Sequence, residues 1–398
     1  MLPHALRGIR VVEWSEGIAG PFCARLLAEM GAEVVKIETP GLGDGSRARP
    51  PFQERAEGGQ VGPSGLFFYY NVGKKGITLR PETDRGGALF RELVRGADVL
   101  IEDRPPGFTD ESGLGYAALS AINPGLVMTS ITPFGQTGPY RGYKSYQLNN
   151  LHAGGEGWEL VQRSGRPPVM TGGDSTESFC GLVGAIGTAS ALWRRRVTGR
   201  GNHVDLSRQE ASMWPGRVEL SAFPNEGITT RRRAGERTMG GVYEARNGYV
   251  EIQPFEERMW SGLVRAMGDP SWASDPRFKA RPARSDHAEE LHALVEDWTR
   301  GRDAMEVAEA LQSNGCPAYE VMSTEQLASS RHYQARGLFA DVESDVPLGR
   351  VPLPSTPFGG AKPSYSPAPS LGEHTDEVLS RLGLSRSEID SLRDEGVV

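Results

Sequence analysis

Ile9-Arg10-Val11-Val12-Glu13-Trp14 and Glu33-Val34-Val35-Lys36-Ile37-Glu38 are two short apolar runs separated by a turn, Ser15 to Gly20, and a segment that reads as a helix. Pro21 opens that helix, which runs to about Met30, and Gly31 closes it. Proline is tolerated in the first helical turn because its missing N–H would have no partner there. Near-continuous apolar runs predict strands buried on both faces. Strand, helix and strand within about thirty residues form a βαβ unit with a parallel pair. Gly17-Ile18-Ala19-Gly20 lacks the GxGxxG spacing, which argues against a nicotinamide or flavin site.

The alternation continues outward. Gly76 to Leu79 reads as a strand, Arg85 to Arg95 as a helix, and Ala97 to Glu102 as a strand. Tyr116 to Ile122 is a short helix and Leu126 to Ile131 a further strand; His203 to Leu206 follows later. The pattern predicts an α/β fold built on a Rossmann-like open parallel sheet, with ligands beyond the carboxyl ends of its strands. Ser15–Gly20, Thr39–Gly45, Asp103–Gly107 and Thr132–Gly138 fall there. Pro40 to Gly65 is long for a connection, and long loops are often functional. After about Phe223 the character changes to short amphipathic helices around one clear strand, Tyr249 to Ile252, which predicts a smaller α+β domain. The expected organisation is a large domain from 1–223, a small one from 225–325, and a segment from 330–398 that returns to the large domain.

Composition narrows the function classes. The chain has 398 residues, 24% of them charged, and a net charge of −7, so nothing global draws it to nucleic acid or an anionic membrane. The basic runs Arg194-Arg195-Arg196 and Arg231-Arg232-Arg233 are local features. Three scattered cysteines without CxxC spacing make neither a disulfide framework nor a zinc site, which fits a reducing cytoplasm. No apolar run is long enough to span a membrane, and the first residues lack the apolar core of a signal peptide.

Met170-Thr171-Gly172-Gly173-Asp174-Ser175-Thr176-Glu177 precedes a run of small and apolar residues, Gly181 to Leu192, that reads as a buried helix. Asp174 has two readings. It is either an N-cap completed as a capping box by Glu177, or a carboxylate nucleophile beside a glycine loop.

Motifs along nearly the whole chain resemble the type III CoA-transferase (CaiB/BaiF) family. They include Leu6-Arg7-Gly8-Ile9-Arg10-Val11, Ala19-Gly20-Pro21, Gly31 to Glu38, Asn71-Val72-Gly73-Lys74-Lys75-Gly76 and Thr132 to Tyr140. Thr198-Gly199-Arg200-Gly201-Asn202-His203-Val204-Asp205 and Leu371-Gly372-Glu373-His374-Thr375-Asp376 complete the set. The resemblance implies an interlocked homodimer that moves CoA from an acyl-CoA to a carboxylic acid through an aspartyl mixed anhydride. No permanently bound cofactor and no metal are implied; coenzyme A is a substrate. Asp174 takes the nucleophile's place. Glu16, Gly17, Ile18, Ala19, Lys74, Lys75, Asp103, Arg104 and Lys144 match the CoA site. Tyr146 and Gln147, in the loop before Asp174, are candidate substrate residues with a structural role as the alternative, and Gly240 and Gly241 are candidates as the remnant of the family's glycine loop. Asp103-Arg104 stands where members often have Asn and an aromatic, and the glycine loop some members carry is reduced to Gly240-Gly241. The apolar Leu148, Leu151 and Trp158 lean toward an acid larger or less polar than formate or oxalate. Two other readings remain. An acyl-CoA racemase of the same fold commonly uses a His-Asp step where this chain has Tyr146-Gln147. A CoA-binding protein without turnover is the second.

Overall fold

The structure is a computed structural model that describes residues 4–54, 61–159, 167–227, 240–344, 349–358 and 365–398. Its centre is a six-stranded parallel sheet: β1 (Arg10–Trp14), β2 (Glu33–Glu38), β3 (Lys75–Thr78), β4 (Val99–Glu102), β5 (Val127–Thr132) and β6 (Asn202–Ser207). The spatial order is 3-2-1-4-5-6, with every neighbouring pair parallel. This is the doubly wound order, and its direction of winding reverses between β1 and β4.

Strand periodicity sorts the core into two layers, because successive side chains point to opposite faces. Val11, Val34, Val99, Ile101, Val127 and Ile131 pack on one face with Cys23, Ala24 and Leu27 of α1 (Ala19–Glu29) and with Cys180, Ala185 and Leu192. Val12, Trp14, Ile37, Ile77, Leu100 and Met128 pack on the other, against Phe90, Leu93 and Val94 of α2 (Asp84–Arg95). Thr83 caps α2, its hydroxyl accepting from the Gly86 N–H at 3.1 Å. The C-terminal helices Thr375–Arg381 and Arg386–Asp394 close the same face, with Leu379, Ile389 and Leu392 in its core. There the Arg80 N–H donates to the Val397 carbonyl at 2.8 Å.

Cys180, Ala185 and Leu192 belong to the long helix that follows Asp174, Ser175–Thr198, which packs along α1. The approach needs Gly181: a Cβ there would lie 2.6 Å from the Ala19 carbonyl oxygen. Close packing of the two helices sets their N-termini side by side at the carboxyl end of the sheet.

The chain divides into two compact units. The first holds the described residues up to 159, from 168 to 227 and from 331 onward. The second holds Pro167 and those from 240 to 330. It is an antiparallel hairpin of Gly241–Ala245 and Gly248–Ile252, extended by Ala318–Glu320, which pairs with the second hairpin strand. Helices Glu257–Ala266, Ala288–Arg300 and Ala304–Ser313 cover it, with Val250, Ile252, Leu263, Val295, Val307 and Leu311 inside. The two outer strands of this sheet, Gly241–Ala245 and Ala318–Glu320, lie beyond the single strand read from periodicity.

Candidate active site

A cleft of about 680 Å³ lies in the first unit at the carboxyl end of the sheet. Its floor is the turn after β1, Glu16 to Gly20, with Asp103 after β4 and Ile131 on β5. This is the point where the strand order reverses. Its walls are Arg49, Tyr146, Gln147, Leu148, Met170, Asp174, Glu177 and Arg208. Two helix N-termini open onto it. Neither Ile18 before α1 nor Asp174 before the long helix caps its first turn with a side chain. Uncapped N–H groups and the positive ends of two helix dipoles favour a negatively charged ligand or a developing oxyanion.

Asp174 is therefore not the capping residue of a capping box. Its partner in that reading, Glu177, points elsewhere: it accepts two hydrogen bonds from Arg208 Nη1, at 2.9 and 2.8 Å. Arg208 starts helix Arg208–Met213, which is capped by Ser207. The Asp174 carboxylate is 24% exposed, and its Oδ1 lies 3.4 Å from Arg49 Nη2. The loop before it is held at Gly173, whose φ of +70° is left-handed and whose carbonyl accepts from Gln147 Nε2 at 2.8 Å. Gln147 thus braces the aspartate loop as well as lining the cleft. On the far side of the helix start, the Tyr70 hydroxyl pairs with Ser178 Oγ at 2.8 Å. Burial raises the Tyr70 phenol above its ordinary range; Ser178 partly offsets this and the Asp174 charge adds to it.

Beneath the cleft lies a buried ion cluster. Lys36 Nζ sits 3.1 Å from Glu13 Oε1 and 2.9 Å from Asp44 Oδ2, and Lys74 Nζ sits 2.7 Å from Glu13 Oε2; all four side chains are sealed from solvent. Lys36 also donates to the Ser15 carbonyl at 2.7 Å, and Asp44 accepts from the Gly17 and Ser46 N–H groups at 3.0 and 2.8 Å. The cluster clamps the turn after β1 to the 3₁₀ turn Gly45–Ala48, whose next residue is Arg49. Burial alone raises the Glu13 pKa, but Lys36 and Lys74 outweigh it and hold the group below its ordinary value. Burial would likewise raise Asp44, yet Lys36 and the backbone donors bring it to about 2. Burial, only partly offset by Glu13, takes Lys74 down to about 8.

Comparison with known proteins identifies the framework. CoA-transferase family III matches residues 6–375. The chain belongs to that family. The transferase is 32% identical to succinyl-CoA–D-citramalate CoA-transferase of Chloroflexus aurantiacus, over all of this chain and 98% of that one. It is 30% identical to formyl-CoA:oxalate CoA-transferase of Rhodopseudomonas palustris, with the same coverage. A crystal structure of a CaiB/BaiF family protein from Brucella suis superposes with a TM-score of 0.83 at 30% identity, covering 95% of this chain and 99% of that one.

Within the transferase, Glu16, Gly17, Ile18, Ala19, Asp103, Tyr146, Gln147 and Asp174 all line the one cleft. Arg104 borders it, its guanidinium 2.7 Å from Asp103 and 3.2 Å from Glu16. Two expected phosphate ligands need correction. The Lys74 ammonium is wholly buried and is taken up by Glu13, the Asn71 side chain and the Pro21 carbonyl. Lys75 lies at the amino end of its strand, away from the cleft, bonded to Glu33 and Glu377 at 3.2 and 2.9 Å. Lys144 is exposed on the loop before Tyr146 and is not among the cleft's lining residues. Gly241 starts the hairpin of the second unit, paired with Ile252, and Gly240 precedes it. Of the three apolar side chains read as substrate contacts, Leu148 lines the cleft, Leu151 is fully buried core, and Trp158 is exposed outside the lining. Arg231 to Arg233 lie outside the described residues.

Arg49, Glu177 with Arg208, and Met170 were not read as site residues from sequence. The only signal for Arg49 was the length of its loop. Among the described residues no cluster of His, Cys, Asp and Glu could hold a metal ion, and no helix is long and apolar enough to cross a membrane.

Proposed function

We propose that Asp174 is the nucleophile by which this CoA-transferase moves CoA from an acyl-CoA donor to a carboxylic acid. The observation that carries the reading is a part-exposed, uncapping carboxylate at a helix N-terminus, in a cleft at the sheet's switch point. An Asp174 oxygen attacks the thioester carbonyl; the C–S bond breaks, and CoA leaves as thiolate from a mixed anhydride. The thiolate attacks the Asp174 carbonyl of that anhydride, releasing the donor acid as its carboxylate and leaving an aspartyl thioester. The acceptor carboxylate reverses both steps, giving a new acyl-CoA and free Asp174. Each intermediate keeps the energy of the thioester, so no nucleotide is consumed. The first-turn N–H groups of the two uncapped helices are suited to the tetrahedral oxyanions.

Glu16 to Ala19, Asp103 and Arg104 border the CoA end of the cleft in this reading. Leu148, Met170, Ile131 and Ile18 provide an apolar wall for an acid larger than formate or oxalate. The racemase alternative needs an acid and a base about the α-carbon, and among the described residues no histidine lines the cleft. The interlocked homodimer is supported by an apolar stripe on the long helix, where Leu182, Ile186, Trp193 and Val197 are all exposed.

A panel of acyl-CoA donors crossed with carboxylic acids, read by mass spectrometry, tests the reaction. A new acyl-CoA that depends on both partners is expected. Deuterium entering the α-carbon with no acid present would favour the racemase, and tight CoA binding with no exchange a binding protein. Sedimentation velocity should give a dimer; a monomer contradicts that part of the reading.

A further inference from the structure

Among the described residues three arginines line or border the cleft, and they differ in what the reaction does to their partners. Arg208 is engaged by Glu177 through both carboxylate oxygens. Arg104 is engaged by Asp103 and Glu16. Neither pair contains a reacting atom. Arg49 is half exposed within the cleft, and among the described residues its ion-pair partner is Asp174. The Asp174 oxygen it faces is the one group in the cleft whose charge the transfer removes.

We propose that Arg49 is the receptor for the exchanging carboxylate, freed to bind it when Asp174 is acylated. This rests on the reading of Asp174 as nucleophile. In the resting protein Asp174 carries a negative charge and Arg49 is its counterion. In the anhydride, and again in the aspartyl thioester, the Asp174 carbonyl is uncharged, and Arg49 is left as an uncompensated cation beside the reacting centre. The donor acid departs, and the acceptor arrives, as a carboxylate. Either one restores the pairing that acylation broke, and a guanidinium binds a carboxylate through two parallel N–H groups. When the last step frees Asp174, the aspartate reclaims Arg49. The same exchange of partners sets the order of binding. Before acylation the incoming acid meets an Arg49 already paired with the Asp174 carboxylate, and afterwards it meets a free cation.

Arg49 is placed for this by the buried cluster. Its backbone N–H donates to the Ser46 carbonyl at 3.1 Å, and the Ser46 N–H is held by Asp44, which is paired with Lys36. The exposed guanidinium thus stands on a rigid base.

Steady-state kinetics of Arg49→Gln and Arg49→Lys test the proposal, alongside hydroxylamine trapping at Asp174. Losing a charge-assisted contact should raise the acceptor-acid KM of Arg49→Gln about ten- to a hundredfold. The acyl-CoA KM should move less than about threefold, because uniform binding of that substrate is not removed. Arg49→Lys should recover part of the loss, and added methylguanidine should lower the acid KM of Arg49→Gln. A merely structural role would raise both KM values together and show no rescue. If Asp174 is trapped in the unaltered protein but the acid KM of Arg49→Gln is unchanged, this inference is overturned and the nucleophile stands. If the unaltered protein yields no trapped group during turnover, both fall.

Discussion

Two sets of ion pairs lie within the first unit at the carboxyl end of the sheet, and they do opposite work. Glu13, Lys36, Asp44 and Lys74 are sealed from solvent, with partners on several strands and turns. Asp174 with Arg49 stands in the open cleft, whereas Glu177 with Arg208 lines it but is largely covered. The residue chemistry is the same. Burial separates the roles: a charge sealed from solvent cannot leave its partner without a large desolvation cost, whereas a half-exposed one can exchange partners with a ligand. The buried cluster is a frame, and the Asp174–Arg49 pair is the part that moves charge.

The comparison breaks first at Asp174. Asp174→Ala should lower transfer at least about 10⁴-fold, since removal of a covalent nucleophile leaves only binding and oxyanion stabilisation. Its unfolding midpoint in urea should stay close to that of the unaltered protein. Lys36→Met should behave in the reverse manner. It leaves the buried Asp44 without its cation and Glu13 with Lys74 alone, and should cost about 3–5 kcal/mol in urea unfolding. A Lys36→Met protein of normal stability would mean the cluster is not a frame.

Glu102 gives a smaller, pH-dependent test. It is buried at the end of β4, accepting from the Arg104 N–H at 2.7 Å, and burial raises its pKa from 4.5 to about 7 against the pull of Ser130 and that N–H. Below pH 4.5 the folded and unfolded chains both hold the proton. Between 4.5 and about 7 the unfolded chain releases it while the folded protein keeps it. The contribution is therefore full below 4.5 and is lost as pH rises to about 7. Glu102→Gln should flatten that decline, worth about 2–3 kcal/mol over the window. Unfolding curves across the range would check it; an equal slope in both proteins would contradict it. The smallest effect should be on the stability of Arg49→Gln, under about 1 kcal/mol, because an exposed pair contributes little to folding. A loss as large as that of Lys36→Met would place Arg49 in the frame.

The sheet was legible because strands buried on both faces leave apolar runs, and Val11 and Val12 each find a different layer. Asp174 was legible as a position, from two glycines before a helix of small residues, but its partner was not. Arg49 lies 125 residues earlier in a loop without periodicity, and no local pattern links the two. Glu177 misled for the opposite reason. Its spacing from Asp174 is that of a capping box, while its actual partner, Arg208, is 31 residues further on. Lys74 and Lys75 looked alike as neighbours carrying the same charge. Lys74 precedes the strand and reaches into the ion cluster, whereas Lys75 opens the strand and bonds Glu33 and Glu377, and neither destination can be read without the tertiary fold.

The most direct test is to incubate the protein with an acyl-CoA donor and hydroxylamine during turnover, then map the product by peptide mass spectrometry. A hydroxamate on Asp174, formed only when the donor is present, is the expected result. Full turnover with Asp174 unmodified, or a hydroxamate on another carboxylate such as Glu177, would contradict the account.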